Sequence, residues 1–191
     1  AYGRGGAALI SVLCDGPFFD GSYADLAAAR RALDAEGLAV PLLAKEFILD
    51  RRQLVLAREN GADSALLIVR ILDEPTLAGL VRDARSLGLE PLVEVTTEDE
   101  LAVALRAEAR VVGVNARDLD TLCMDPERAR RVLAAIPPGI VALHLSGVKT
   151  EADVAALART RADGALVGEV LMRAADPAPL LAAFVAASRS A

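Results

Sequence analysis

Residues 88–115 read GLEPLVEVTTEDELAVALRAEARVVGVN. Two short apolar runs, 91–95 and 110–114, enclose a stretch whose apolar residues recur at helical spacing. The first run carries a lone acid, Glu94, and the second ends at an amide, Asn115. The same ending occurs upstream, where VPLLA (40–44) runs into Lys45. Apolar runs that alternate with helical segments specify parallel strands joined by crossover helices. Residues at the carboxyl ends of such strands are where α/β folds keep their chemistry. Lys45 and Glu94 are therefore the leading functional candidates.

Working outward, apolar runs at 8–14, 40–44, 65–69, 91–95, 110–114, 140–145 and 165–167 read as strands, spaced roughly 20–30 residues apart. Helical periodicity covers 23–36, 51–60, 74–87, a stretch through 107, a short stretch from Pro126, 151–159 and 177–188. Ser22, Thr97 and Thr150 are expected N-caps, with Glu100 completing a capping box on Thr97. Pro126 suits a first helical turn. Gly61 and Gly88 sit where helices stop. Asp15-Gly16-Pro17 and Asp20-Gly21-Ser22 are loop signals. Seven such units in one domain, residues 1–191, predict a TIM (β/α)8 barrel lacking its first strand. A doubly wound open sheet is the competing layout, disfavoured because no Gly-rich fingerprint marks the first strand-helix turn.

Apolar residues make up 54% of the chain and aromatics only 3%, so Val, Leu, Ile and Ala must build the core. That composition suits a parallel sheet covered by Ala-rich helices. Of 21 basic residues only Lys45 and Lys149 are lysines, and the net charge is -6. No basic run tracks a nucleic-acid backbone. A small anion held by backbone amides remains compatible with that charge. The two cysteines, Cys14 and Cys123, fit no metal spacing, and a disulfide framework is not expected. There is no cleavable signal pattern and no apolar run of roughly 18 residues, so a cytoplasmic, non-membrane setting is the expectation.

A series of short motifs lies at the strand ends and in the turns beside them. The marks are Gly5-Gly6-Ala7-Ala8 before Ile10-Ser11-Val12-Leu13, Phe18-Phe19-Asp20-Gly21-Ser22, Lys45-Glu46-Phe47, Gly61-Ala62-Asp63 with Leu66-Leu67-Ile68, and Leu92-Val93-Glu94-Val95. They continue with Gly113-Val114-Asn115-Ala116-Arg117-Asp118-Leu119, Ser146-Gly147-Val148 and Leu166-Val167-Gly168-Glu169. In the order and spacing of these motifs, across nearly the whole chain, the sequence resembles the indole-3-glycerol phosphate synthase family, (β/α)8 enzymes of tryptophan biosynthesis. Three departures stand out. The family's first strand, with a catalytic Lys in Lys-x-x-Ser-Pro-Ser, does not occur among these residues. Leu145 stands where the family usually has Glu before Ser-Gly. Lys45-Glu46-Phe47 replaces the commoner Lys-Asp-Phe.

The resemblance implies decarboxylating ring closure and dehydration of 1-(2-carboxyphenylamino)-1-deoxyribulose 5-phosphate, a small phosphorylated substrate, with no cofactor or metal. Lys45 would be the general acid and Glu94 its acid-base counterpart, while Asn115 orients substrate oxygens. Arg117 would face the carboxylate, for which its donor fork is suited. Phe47 and Leu67 would wall the aromatic pocket, with Phe18 and Phe19 closing it. Ser146, Gly147, Gly168 and Glu169 would hold phosphate, and Ser146 would also touch substrate. The departures imply impaired activity.

Read from residues alone, each site has a plainer role. Lys45 could be a loop residue paired with Glu46 or Glu94, and Asn115 could tie down its own loop. His144 is expected to be packed and hydrogen-bonded, Asp63 and Asp163 to be structural, and Cys14 to lack a histidine partner. Two other functions stay open: a non-catalytic fragment or scaffold that self-associates or recruits a complementing segment through open barrel edges, and a phosphate-sugar enzyme like phosphoribosylanthranilate isomerase.

Overall fold

Side-chain alternation along the strands sorts the apolar residues into two layers. A computed structural model describes residues 1–189. Its strands are β1 (Ile10–Leu13), β2 (Leu42–Lys45), β3 (Ser64–Ile68), β4 (Glu90–Val95), β5 (Val111–Asn115), β6 (Val141–Leu145) and β7 (Gly164–Leu166). They form one seven-stranded sheet in sequence order, and every ladder is parallel. Leu43, Leu66, Ile68 and Leu92 pack together on one face with Leu9, Phe47, Val111, Leu119 and Leu143. Contact among residues from β2 through β6 requires that face to be concave. The intervening positions Leu42, Ala44, Leu67, Val93, Val95, Val112, Val114 and Ala142 face the other way, into the layer shared with the helices. This is an α/β fold with an open, curled sheet, the (β/α)8 plan short of one strand.

The covering helices are α1 (Gly16–Phe19), α2 (Tyr23–Ala35), α3 (Arg51–Glu59), α4 (Glu74–Ser86), α5 (Glu98–Arg106), α6 (Pro126–Ala135), α7 (Glu151–Leu157), α8 (Glu169–Arg173) and α9 (Pro177–Arg189). Their starts follow local chemistry. Ser22, Asp50, Asp73, Thr97, Asp125 and Thr150 each accept a backbone N–H of the first turn. Glu100 departs from the expected capping box: its carboxylate binds the backbone and hydroxyl of Thr96 instead of the Thr97 amide. Helices α1 and α8 were not expected. Both are under two turns, too short to show an apolar period.

β1 and β7 are the sheet edges and do not pair with each other. The amino-terminal segment approaches the far end of the chain. The Cβ position at Gly5 is 3.1 Å from Leu181 of α9, and the Tyr2 hydroxyl donates to Met172 Sδ at 3.3 Å. Gly113 matters on the concave face, because a Cβ there would lie 2.7 Å from Leu145 and 3.1 Å from Leu92.

Strands are tied at their amino ends by a recurring aspartate clamp. Asp63 donates its N–H to Leu42 O at 2.9 Å and accepts from Leu42 N at 2.9 Å. Asp163 repeats this on Ala142, at 2.7 and 2.8 Å. Arg30 pairs with Asp63, and Arg161 with Asp163 at 2.8 Å. Each aspartate thus returns to the preceding strand, which matches the structural role expected for both.

His144 is buried on the helix-facing side of β6, opposite Val114 in the ladder. Among the described residues its Nδ1 has no hydrogen-bond partner, so the packed imidazole leaves one nitrogen unsatisfied. Burial pushes its pKa below the usual 6.5, against the opposing effect of a hydrogen bond with the Ser146 backbone. The native ring is therefore neutral where the unfolded ring takes up a proton. Stability falls as pH drops through about 6.5 and stops falling below the folded pKa.

Two outcomes follow. Asp163→Ala should lower unfolding free energy in urea by about 1–2 kcal/mol, a hydrogen-bond loss at a half-exposed site; an unchanged midpoint would refute the clamp. His144→Gln should flatten the stability profile between about pH 7 and pH 5, and a profile as steep as wild type would show that His144 does not set it.

Candidate active site

Because ladder partners share a face, residues paired with a concave position are concave too. Ile68 pairs with Glu94, and Asn115 with Leu145. The concave ends of β2, β4, β5 and β6 therefore present Lys45, Glu94, Asn115 and Leu145. These four line one cavity of about 840 Å³, together with Arg117, Met124, Ser146, Gly147, Lys149, Gly168 and Glu169. The cavity opens at the carboxyl ends of the strands, the functional face of this architecture.

Glu94 is only 2% exposed. Its Oε1 accepts from Asn115 Nδ2 at 2.9 Å, while Oε2 is buried with no partner among the described residues. Asn115 Oδ1 accepts from the Arg117 backbone N–H at 3.0 Å, which orients the amide with its donor toward the acid. An unmatched buried carboxylate oxygen is costly. Left beside a cavity, it is an acceptor waiting for a ligand proton or donor.

Lys45 is half-buried, and among the described residues its ammonium forms no ion pair or hydrogen bond. The pairing with Glu46 or Glu94 that a loop role would involve does not form. Arg117 folds back on its own loop, where Nη1 donates to Leu122 O at 3.2 Å.

Across the cavity, Ser146 and Gly147 adopt consecutive left-handed conformations, with φ of 70° and 88°. The serine position carries strain of the kind that functional turns hold. Gly168 caps α8, whose first residue Glu169 pairs with Arg173 at 3.2 Å. Any anion here would meet backbone and Lys149, with the Glu169 carboxylate opposing it.

Several aromatic-pocket expectations are corrected. Leu67 is fully buried in the helix-facing layer, one residue out of phase with the cavity side. Leu66 and Ile68 occupy the concave face instead. Counting alternation back from Glu94 through the ladder would have identified them. Phe47, two residues past the end of β2, packs against the concave cluster and is not among the residues that line the cavity. Phe18 and Phe19 contact Phe47 at centroid distances of 5.9 and 6.2 Å but are 78% and 51% exposed, and neither lines the cavity. Leu119, Met124 and Lys149 were missed; their loops give no periodic signal. Burial, reinforced by Glu46, raises the Cys14 thiol pKa to about 12, which disfavours the reactive thiolate.

Among the described residues no cluster of three or more His, Cys, Asp or Glu side chains could hold a metal, and no helix is long and apolar enough to cross a membrane.

The model of the indole-3-glycerol phosphate synthase family matches residues 1–184. The indole-3-glycerol phosphate synthase of Micrococcus luteus is 44% identical over 188 residues, covering 98% of this chain and 68% of that protein. That of Kineococcus radiotolerans is 47% identical, covering 97% of this chain and 66% of that protein. The chain thus spans about two thirds of the length of these relatives. Among solved structures, 3-hexulose-6-phosphate synthase from Salmonella typhimurium shares the fold with a TM-score of 0.76 at 18% identity, covering 95% of this chain and 87% of that one. With Lys45, Glu94 and Asn115 brought to one cavity on this sheet and the family model matching residues 1–184, the chain belongs to the indole-3-glycerol phosphate synthase family.

Proposed function

We propose that this cavity binds 1-(2-carboxyphenylamino)-1-deoxyribulose 5-phosphate and closes its indole ring at a reduced rate. The supporting observation is the buried Glu94 carboxylate, held by Asn115 and sharing a cavity with the unpaired Lys45 ammonium. Lys45 protonates the ketone oxygen as the ring carbon bearing the carboxylate attacks the carbonyl. The new carbon–carbon bond forms, carbon dioxide leaves, and its bonding electrons restore the aromatic ring. The resulting hydroxyl departs as water with a second proton, which solvent in the open cavity supplies. Glu94 takes the proton released as the five-membered ring becomes aromatic. Asn115 and Arg117 orient substrate oxygens, and the carboxylate lies on the Arg117 side. The phosphate lies toward Ser146, Gly147 and Gly168.

Leu145 supports the reduced rate. It lies 2% exposed in the cavity wall, against Gly113, and can neither donate nor accept a proton. The family's usual carboxylate is absent from this position.

A second reading rests on the open seam. Leu13, on the concave side at the end of β1, is 37% exposed, whereas Leu43 and Leu66 on the same face of β2 and β3 are sealed. Unpaired edges of this kind favour self-association or a complementing strand. A compact monomer in sedimentation would eliminate this reading.

Indole fluorescence on adding the substrate tests the catalytic reading. Lys45→Met and Glu94→Gln should each reduce turnover by roughly 10²–10⁴; rates equal to wild type would remove them from the chemistry. Leu145→Glu should raise turnover while costing roughly 1–3 kcal/mol of stability for a buried polar group. A slower Leu145→Glu enzyme would mean that the leucine is not the deficit.

A further inference from the structure

Arg70 lies just past β3, in the 3-10 turn Val69–Ile71. Its Nε reaches Glu100 Oε1 at 2.8 Å, and its Nη1 donates to Asp120 Oδ2 at 3.0 Å. One guanidinium therefore joins two carboxylates on different elements. A planar fork can hold both at once, while a lysine offers a single point charge.

Each partner leads toward the cavity. Glu100 Oε2 accepts from Thr96 N at 2.6 Å and Thr96 Oγ1 at 2.7 Å. Thr96 follows directly on β4, two residues beyond Glu94. Asp120 sits in the loop after β5, which Arg117 and Met124 close as an antiparallel bridge. Within the loop, Asp118 accepts from the amides of Asp120 and Thr121 at 3.0 and 2.9 Å, and from Arg128 at 3.3 Å. At its base the Arg117 N–H holds Asn115, and Asn115 holds Glu94.

We propose that Arg70 is a positioning residue: with Glu100 and Asp120 it locks the ends of β3, β4 and β5 together and so fixes the Asn115–Glu94 pair. Arg70 contacts neither of those residues and acts only through Thr96 and the loop. Glu100 is 13% exposed, Arg70 36% and Asp120 65%. Exposed pairs of this type contribute little to global stability. The consequence of losing Arg70 is therefore local looseness at the cavity edge. Small displacements of catalytic groups have large effects on rate.

Amide exchange followed by NMR tests this without substrate. In Arg70→Gln, exchange at the Arg117 backbone amide and the Asn115 side-chain amide should rise about tenfold, with the β5 amides unchanged and Tm shifted by less than about 4 °C. Arg70→Lys should fall between the two, since it keeps one arm of the brace. Unchanged protection at Arg117 and Asn115 overturns the proposal, as does an equal rise throughout β5. The proposal rests on the reading of Glu94 and Asn115 as site residues, but the exchange result does not require turnover. Loss of protection in a chain that shows no ring closure would sink the catalytic reading and leave the brace standing. In a chain that does turn over, kcat should fall about tenfold in Arg70→Gln and partly recover in Arg70→Lys; an unchanged kcat overturns the positioning role.

Discussion

Parallel strands kept in sequence order oblige every second side chain to face a shared concave interior, and everything else in this molecule depends on that constraint. The apolar concave positions of β2, β3 and β4 are filled by Leu43, Leu66, Ile68 and Leu92, which bind the strands together and set their curvature. Where that apolar filling ends, at the carboxyl termini, the same alternation delivers Lys45, Glu94 and Asn115 to one cavity. Core and site are consecutive levels of a single pattern.

The two ends of the sheet divide the work. At the amino ends, Asp63 and Asp163 return to the strand before them and satisfy its backbone, so their carboxylates are consumed by structure. At the carboxyl ends, among the described residues, Glu94 keeps one oxygen unmatched, Lys45 keeps a free ammonium, and Ser146 holds a left-handed backbone. Unspent polar capacity and strain gather on the face where ligands bind in this architecture. Leu145 interrupts that pattern. It is a well-packed apolar residue on the face where its neighbours Asn115 and Ser146 are polar.

Much of the fold was legible in the residues. Runs such as 91–95 and 110–114, each stopping at a polar residue before a helical stretch, specify βα units on their own. N-caps at Ser22, Thr97 and Thr150 follow from side-chain oxygens competing for backbone donors. Helices α1 and α8 were hidden because periodicity needs more than one turn to register. The capping acid at Glu100 went to Thr96, because two donors from one residue outcompete the single amide of Thr97.

The site divides along the same line. Sequence alone determined which residue types stand at strand ends, and so named Lys45, Glu94 and Asn115. Only the tertiary structure decided which face each neighbour takes. Leu67 was one residue out of phase because a continuous apolar run such as 65–69 shows no alternation, and the ladder pairing Ile68 with Glu94 settles it. The exposure of Phe18 and Phe19, the orientation of Asn115 between Arg117 and Glu94, and the junction of Arg70 with two acids likewise depend on contacts between segments distant in the chain. Local chemistry writes the elements; long-range register decides which of their side chains meet.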